Sequence, residues 1–191
     1  GVVEGLTEFL PISSTGHLLL AEQFLGARSD AYNIVIQAGA ILAVTLIYWR
    51  RLVGLVTGWN DPANRDYLLK LLTAFGITAV LGLVVKKLGF ELPETVTPIA
   101  WALVIGGIWM LWAENMADRQ PDRVTITWRV AVAVGIAQIV AGMFPGTSRS
   151  GATIFAAMLL GTSNRAAATE FAFLVGIPTM YAASGYELLK Q

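Results

Sequence analysis

Two carboxylates, a run of hydroxyls and the chain's single histidine stand in one short stretch, "EGLTEFLPISSTGH", from Glu4 to His17. Glu4 and Glu8 are spaced i, i+4, which puts both on one face of a helix. In an apolar setting such a pair costs on the order of several kcal/mol unless a shared proton, a divalent cation or a basic partner compensates. Pro11 ends the first half of the stretch. Ser13, Ser14 and Thr15 then offer oxygens that cap a second helix starting near Ser14. The free N–H groups at that start, with the positive end of the helix dipole, make the kind of site that binds phosphate. The hydroxyls serve there as caps alone, or one also acts on the anion. His17 lies one turn after Ser14, within reach of the same space. Ser14, His17 and Glu8 hold the parts for nucleophile-and-base chemistry, and the alternative is that His17 itself attacks phosphorus.

A second stretch, "FPGTSRSG" from Phe144 to Gly151, repeats the device. Pro145 and Gly146 stop one helix, and Ser148 or Ser150 caps the next. Arg149 is the only charge between Val130 and Leu160. A guanidinium in such a run needs an anion. Glu4 and Glu8 supply one in a structural ion pair. A phosphate, taken by two parallel hydrogen bonds, is the other reading. On that reading Ser13, Thr15, Gly146, Ser148 and Ser150 join Arg149 around a buried anion pocket. Gln37 and Asn33 lie near enough in sequence to reach it, although helix–helix hydrogen bonding is the commoner role for such residues. Glu170, a turn after Arg165, reads as its ion-pair partner. Glu22, Glu94 and Glu187 read as boundary charges.

The elements that position these groups are read from hydropathy. Of 191 residues, 55% are hydrophobic and only 14% charged. Uncharged runs at Ala31–Trp49, Leu71–Val85 (back to Tyr67 if Lys70 snorkels), Thr95–Ala113 and Phe171–Tyr186 approach the length that crosses a bilayer. Trp49, Trp59, Trp112 and Trp128 lie near the ends of such runs, as an interfacial belt predicts. A soluble helical bundle would have no solvated face left. Equal numbers of acidic and basic residues, 13 each, give no reason to expect nucleic acid as a partner. The absence of cysteine excludes disulfides, thiolate metal sites and cysteine nucleophiles. Gly1 opens without the basic start of a signal peptide.

The two broken stretches, Phe9–Ala21 and Val130–Leu160, have halves too short to cross, so they read as re-entrant helix hairpins. A constant shift carries Gly1 onto Gly135, Glu4 onto Gln138, Pro11 onto Pro145, Ser13 onto Thr147 and Ser14 onto Ser148. It also carries Ser29 onto Ser163 and Asp30 onto Asn164. Crossings at roughly 31–50, 66–88 and 93–117 lie between the hairpins, and an odd number inverts the second copy. The expected fold is therefore an all-α, polytopic membrane protein with inverted-topology repeats. Each repeat is a re-entrant hairpin followed by transmembrane helices. Residues 1–191 form one integral membrane domain, with repeat one about 1–117 and repeat two about 127–191. Repeat two lacks counterparts of its last two spans, on the order of 60–80 residues expected beyond Gln191. One set of loops carries Arg50, Arg51, Arg65, Lys70, Arg119, Arg123, Arg129 and Arg165; the other carries only Arg28, Lys86, Lys87 and Lys190. The more basic set is expected in the cytoplasm, so the first hairpin enters from the outer face.

At these residues the chain resembles the bacterial undecaprenyl-pyrophosphate phosphatase family, the bacitracin-resistance membrane proteins. "EGLTEFLPISSTGH" carries the family's glutamate-rich motif. "PGTSRSGAT", Pro145 through Thr153, carries its proline–glycine–serine–arginine motif, and "TEFAFLVGIP" (Thr169–Pro178) is also similar. The resemblance implies a hydrolase of the cytoplasmic (inner) membrane. It would remove the terminal phosphate of a polyprenyl pyrophosphate at the outer side, recycling the lipid carrier of peptidoglycan precursors. It implies Glu4, Glu8, Ser14, His17 and Arg149 as catalytic residues, and Thr153 among those binding substrate. It further implies a divalent cation, Mg²⁺ or Ca²⁺, on Glu4 and Glu8. Membrane lipid is the expected surrounding, and a homodimer is compatible with the pattern. Transport is the rival class, because a flippase for the same lipid needs the same anion pocket. A lipid phosphatase of the "SGH" histidine type fits less well, since no later histidine completes that signature. A purely structural subunit leaves Arg149 and the paired glutamates unexplained.

Overall fold

A computed structural model describes residues 1–26, 29–90 and 96–189. Arg28, Glu94 and Lys190 lie outside the described residues. Among the described residues the fold is all-helical, without strands. In chain order the helices are α1 (Val2–Thr7), α2 (Ser14–Leu25), α3 (Asp30–Ile47), α4 (Trp49–Thr57), α5 (Pro62–Lys87), α6 (Val96–Asp118), α7 (Trp128–Met143), α8 (Arg149–Leu160) and α9 (Arg165–Leu188).

Three of these, α5, α6 and α9, are long and apolar enough to cross a membrane. At 26 residues, α5 is about 39 Å long, more than the roughly 30 Å of a hydrocarbon core. The expected span at Ala31–Trp49 is α3, which bends by 62° into α4. Sequence reading missed this turn because α4 begins with the apolar Trp49 before its paired arginines. Asp61 caps α5, with its carboxylate accepting from Ala63 N at 3.0 Å, and Pro62 is pre-set for the first helical turn. Pro178 lies inside α9 without ending it.

The core gathers around α7, α8 and α9, where Phe171, Leu174 and Val175 meet Val130, Val134 and Met158, all at most 1% exposed. In lipid, apolar contact between helices gains little over lipid contact, so close packing and hydrogen bonds must hold the bundle. Gly135 serves the close packing: a Cβ there would lie 2.8 Å from the Ala74 carbonyl oxygen, so only glycine lets α7 approach α5. Beside it the Thr78 hydroxyl reaches the Ala74 and Gly135 carbonyls at 3.0 Å each. By contrast α6 leaves Trp101, Ile105, Ile108, Leu111 and Trp112 exposed, a lipid-compatible face.

One end of the bundle collects polar partners. Arg51 donates to Glu170 at 2.9 Å and stacks on Tyr67 at 4.9 Å. Lys70, almost fully buried, bonds Asp66 at 2.5 Å and sits over Trp128. Arg165 pairs with Glu114 and, at 3.3 Å, with Asp118. The expected Arg165–Glu170 pair is therefore replaced: the α6 carboxylates capture Arg165, and Glu170 takes Arg51 from α4.

Candidate active site

Both breaks form where their sequences demand. Between α1 and α2 the chain runs from Glu8 to Ser13, with Pro11 at its centre. Ser13 caps α2, accepting from Gly16 N at 3.4 Å. Its φ of +64° is a left-handed conformation that a side chain disfavours. Between α7 and α8 the turn is Phe144–Ser148. Gly146 has φ +98°, and a Cβ there would meet the Ile99 carbonyl oxygen at 2.6 Å, so both conformation and contact require glycine. Ser148 caps α8 through Gly151 N at 3.1 Å; of the two serines considered for that role it is the one that caps. Ser150 instead contacts Ser148 Oγ at 3.2 Å.

The two breaks meet. Ser150 Oγ donates to the Leu10 carbonyl at 2.9 Å, joining one tip to the other. Arg149 makes an ion pair with Glu8 Oε1. The other Glu8 oxygen accepts from Ser14 Oγ at 2.5 Å. A continuous chain, Ser14–Glu8–Arg149, thus crosses from one break to the other. Arg149 also contacts Met180 Sδ at 2.7 Å. Phe9 fixes the first break on α9 by an edge-to-face contact with Phe173, centroids 5.7 Å apart. Glu8, Phe9, Gln138, Arg149, Ser150 and Thr153 lie on the wall of one cleft of about 20 Å³, enough for a single water molecule.

The remaining predicted residues divide. Glu4 is fully buried, and neither carboxylate oxygen accepts a hydrogen bond. Thr153, 2% exposed, donates back to the Arg149 and Ser150 carbonyls at 2.9 and 3.1 Å and steadies the first turn of α8. His17 Nδ1 meets the Ser13 carbonyl at 2.8 Å. A carbonyl can only accept, so Nδ1 carries the proton, and Nε2 holds the lone pair when the ring is neutral. The His17 ring is not on the cleft wall, and Thr15 is exposed. Asn33 bonds Glu22 at 3.4 Å, a contact between α3 and α2.

Gln138 is the functional candidate that sequence reading passed over. It is 4% exposed and lines the cleft. The signal was available, since the sequence shift that aligns the two broken stretches carries Glu4 onto Gln138.

A divalent cation is tested by the donors themselves. Glu4 offers two oxygens without hydrogen-bond partners, and each Glu8 oxygen keeps a lone pair beyond its single contact. Two carboxylates, with the rest of the shell from phosphate oxygens and water, suit Mg²⁺. The described residues hold no cluster of three or more acidic, histidine or cysteine side chains. Such an ion would therefore depend on the substrate for part of its shell.

An all-helical bundle with membrane-length helices, whose two helix breaks join carboxylate, hydroxyl and guanidinium in one buried cluster, defines an integral membrane protein with a polar centre. The family described as bacitracin resistance protein BacA matches residues 1–191, and the chain belongs to that family. It is 79% identical over 190 residues to the undecaprenyl-diphosphatase of Rhizobium johnstonii, covering 100% of this chain and 72% of that protein. It is 66% identical over 190 residues to the undecaprenyl-diphosphatase of Xanthomonas euvesicatoria pv. vesicatoria, with the same coverage.

Proposed function

We propose that this chain is an undecaprenyl-diphosphate phosphatase, which hydrolyses the lipid pyrophosphate to the monophosphate and inorganic phosphate. The observation that carries the reading is the Ser14–Glu8–Arg149 chain joining two capped helix starts. The names of relatives at 66–79% identity support it from a separate direction.

Phosphoryl transfer asks mainly for position and charge neutralisation. Arg149 has five donors, and its contacts with Glu8 and Met180 leave others for phosphate oxygens. The amide-rich start of α8, where Arg149 itself sits, adds N–H groups and dipole of the same sign. Ser14 is the attacking group on this geometry, because its hydroxyl already donates to Glu8. As the Oγ–P bond forms and the anhydride P–O bond breaks, Glu8 takes the proton and the lipid monophosphate leaves. Water then cleaves the phosphoserine and inorganic phosphate departs. His17 Nε2 serves as a further proton acceptor, its ring held by Ser13. Glu4 and Glu8 would hold a divalent cation, Mg²⁺ or Ca²⁺, which supplies charge neutralisation at the phosphate oxygens.

The finer topology belongs to the same proposal. The breaks at 8–13 and 144–148 are the tips of two re-entrant hairpins in inverted repeats, about 1–117 and 127–191. The polar end that holds Arg51, Lys70 and Arg165 faces the cytoplasm by the excess of basic residues. The site then opens to the outer side of the bacterial inner membrane, among lipid. The polyprenyl tail lies along apolar helix surfaces.

The test is phosphate release from undecaprenyl pyrophosphate by the purified protein in detergent, where no second compartment exists. Release that needs Arg149 and Ser14 supports the enzyme. Lipid translocation in vesicles without phosphate release would establish a flippase instead. Trapping the phosphoenzyme should put the label on Ser14; label on His17 would reassign the nucleophile.

A further inference from the structure

Gln138 stands on α7, in the wall of the cleft that also holds Glu8 and Arg149. Its amide orientation is set by its neighbours. Thr78 Oγ reaches two carbonyls, Ala74 and Gly135, and so spends its proton on them. Towards Gln138 that hydroxyl can only accept, which requires the amide Nε2 to face it, at 3.0 Å. Thr78 lies off the cleft, on the α5 side of α7. The other end of the amide, Oε1, is buried and accepts nothing. A buried carbonyl-type oxygen without a donor is costly, so a fold that keeps one holds it for a partner.

Chemistry narrows that partner. An amide oxygen accepts only, and so do ionised phosphate oxygens, so the two repel. Arg149 keeps donors beyond its contacts with Glu8 and Met180, but none of them reaches Oε1. The cleft has room for a water molecule, which donates twice and would have polar neighbours in Glu8 and Ser150. We propose that Gln138 is a positioning residue of the hydrolytic reaction: its Oε1, locked into the cleft by Thr78, holds and orients the water consumed in phosphate release. The inference rests on the phosphatase reading above. The water gives one proton to Glu8 while its oxygen bonds phosphorus, and the proton that Glu8 took from Ser14 returns to Oγ as the Ser14 Oγ–P bond breaks. Gln138 does not touch phosphorus or exchange a proton. It fixes where the oxygen's lone pair points, which is where much of the rate of such a step resides.

The experiment compares wild type with Gln138→Met and Gln138→Glu in steady-state phosphate release and in thermal unfolding, in detergent. Gln138→Met keeps length and removes the acceptor. Its kcat is expected to fall about tenfold or more with KM within about twofold, and its unfolding midpoint to stay near wild type. Gln138→Glu keeps an oxygen towards the cleft, and Thr78 can turn its proton to the other; it is expected to recover most of kcat. If phosphoserine is the intermediate, Gln138→Met should also accumulate it. A raised KM at unchanged kcat would assign Gln138 to substrate binding and overturn the proposal. Loss of kcat that tracks a lowered unfolding midpoint in both variants would make the role structural and also overturn it. Wild type that releases no phosphate sinks the phosphatase reading itself; an active wild type with a fully active Gln138→Met sinks only this inference.

Discussion

The two helix breaks are built from the same parts and held in different ways. Each contains a proline and restarts at a serine cap. The second is clamped on all sides. In α8, Ser150 through Ile154 are buried without interruption, as are Ala157 and Met158. The Ser148 cap has ordinary φ/ψ of −64° and 117°. In the first break α2 buries only Gly16. Its cap, Ser13, is strained at φ +64° and makes a longer bond. Leu10, Ile12, Leu20, Phe24 and Leu25 face outward. The rigid copy carries the permanent charge, Arg149, where a fixed guanidinium fork is useful. The looser break carries the groups assigned above to attack and proton transfer, Glu8, Ser14 and His17. The two breaks share one backbone device, and the residues on it carry opposite electrostatic signs.

The largest break of this contrast is removal of its charge link. Arg149→Ala should lower phosphate release by about 1000-fold, since it strips the phosphate of its cation and leaves Glu8 buried without its ion-pair partner. Arg149→Lys, which keeps charge and loses the fork, should remain at least about tenfold impaired. Next come the proton-handling groups of the first break. Ser14→Ala and Glu8→Gln should each cost about 100-fold or more in kcat, and the double variant should cost little beyond either, because the two act as one unit. Steady-state assays in detergent measure both sets.

Stability sharpens the same comparison at a smaller scale. Gly146→Ala forces a side chain into φ +98° and against the Ile99 carbonyl. It should destabilise by about 2 kcal/mol or more, read as a lower unfolding midpoint in detergent. The smallest effects separate the caps. Ser148→Ala should cost about 1 kcal/mol. Ser13→Gly should be close to neutral, because glycine relieves the positive φ as it gives up a weak cap. A Ser13→Gly change as costly as Ser148→Ala would contradict the view that the first break is the looser one.

Much of the site was legible in the chain itself. Local rules placed the breaks, since proline cannot continue a helix and serine starts one. Hydropathy fixed the long helices to within a few residues, because a bilayer sets their length. A lone arginine in an uncharged run announced a buried anion partner. None of this says which anion. Only the tertiary structure brought Glu8, rather than Glu4, onto Arg149, because that depends on how the first break meets the start of α8, 141 residues further on. The bend between α3 and α4, the exchange of Arg165's partner and the stranded oxygen of Gln138 were decided in the same way. Periodicity and composition report what each segment can do alone. Which donor finds which acceptor is settled by packing between segments far apart in the chain, and there the geometry of α5 against α7 and of break against break had the final word.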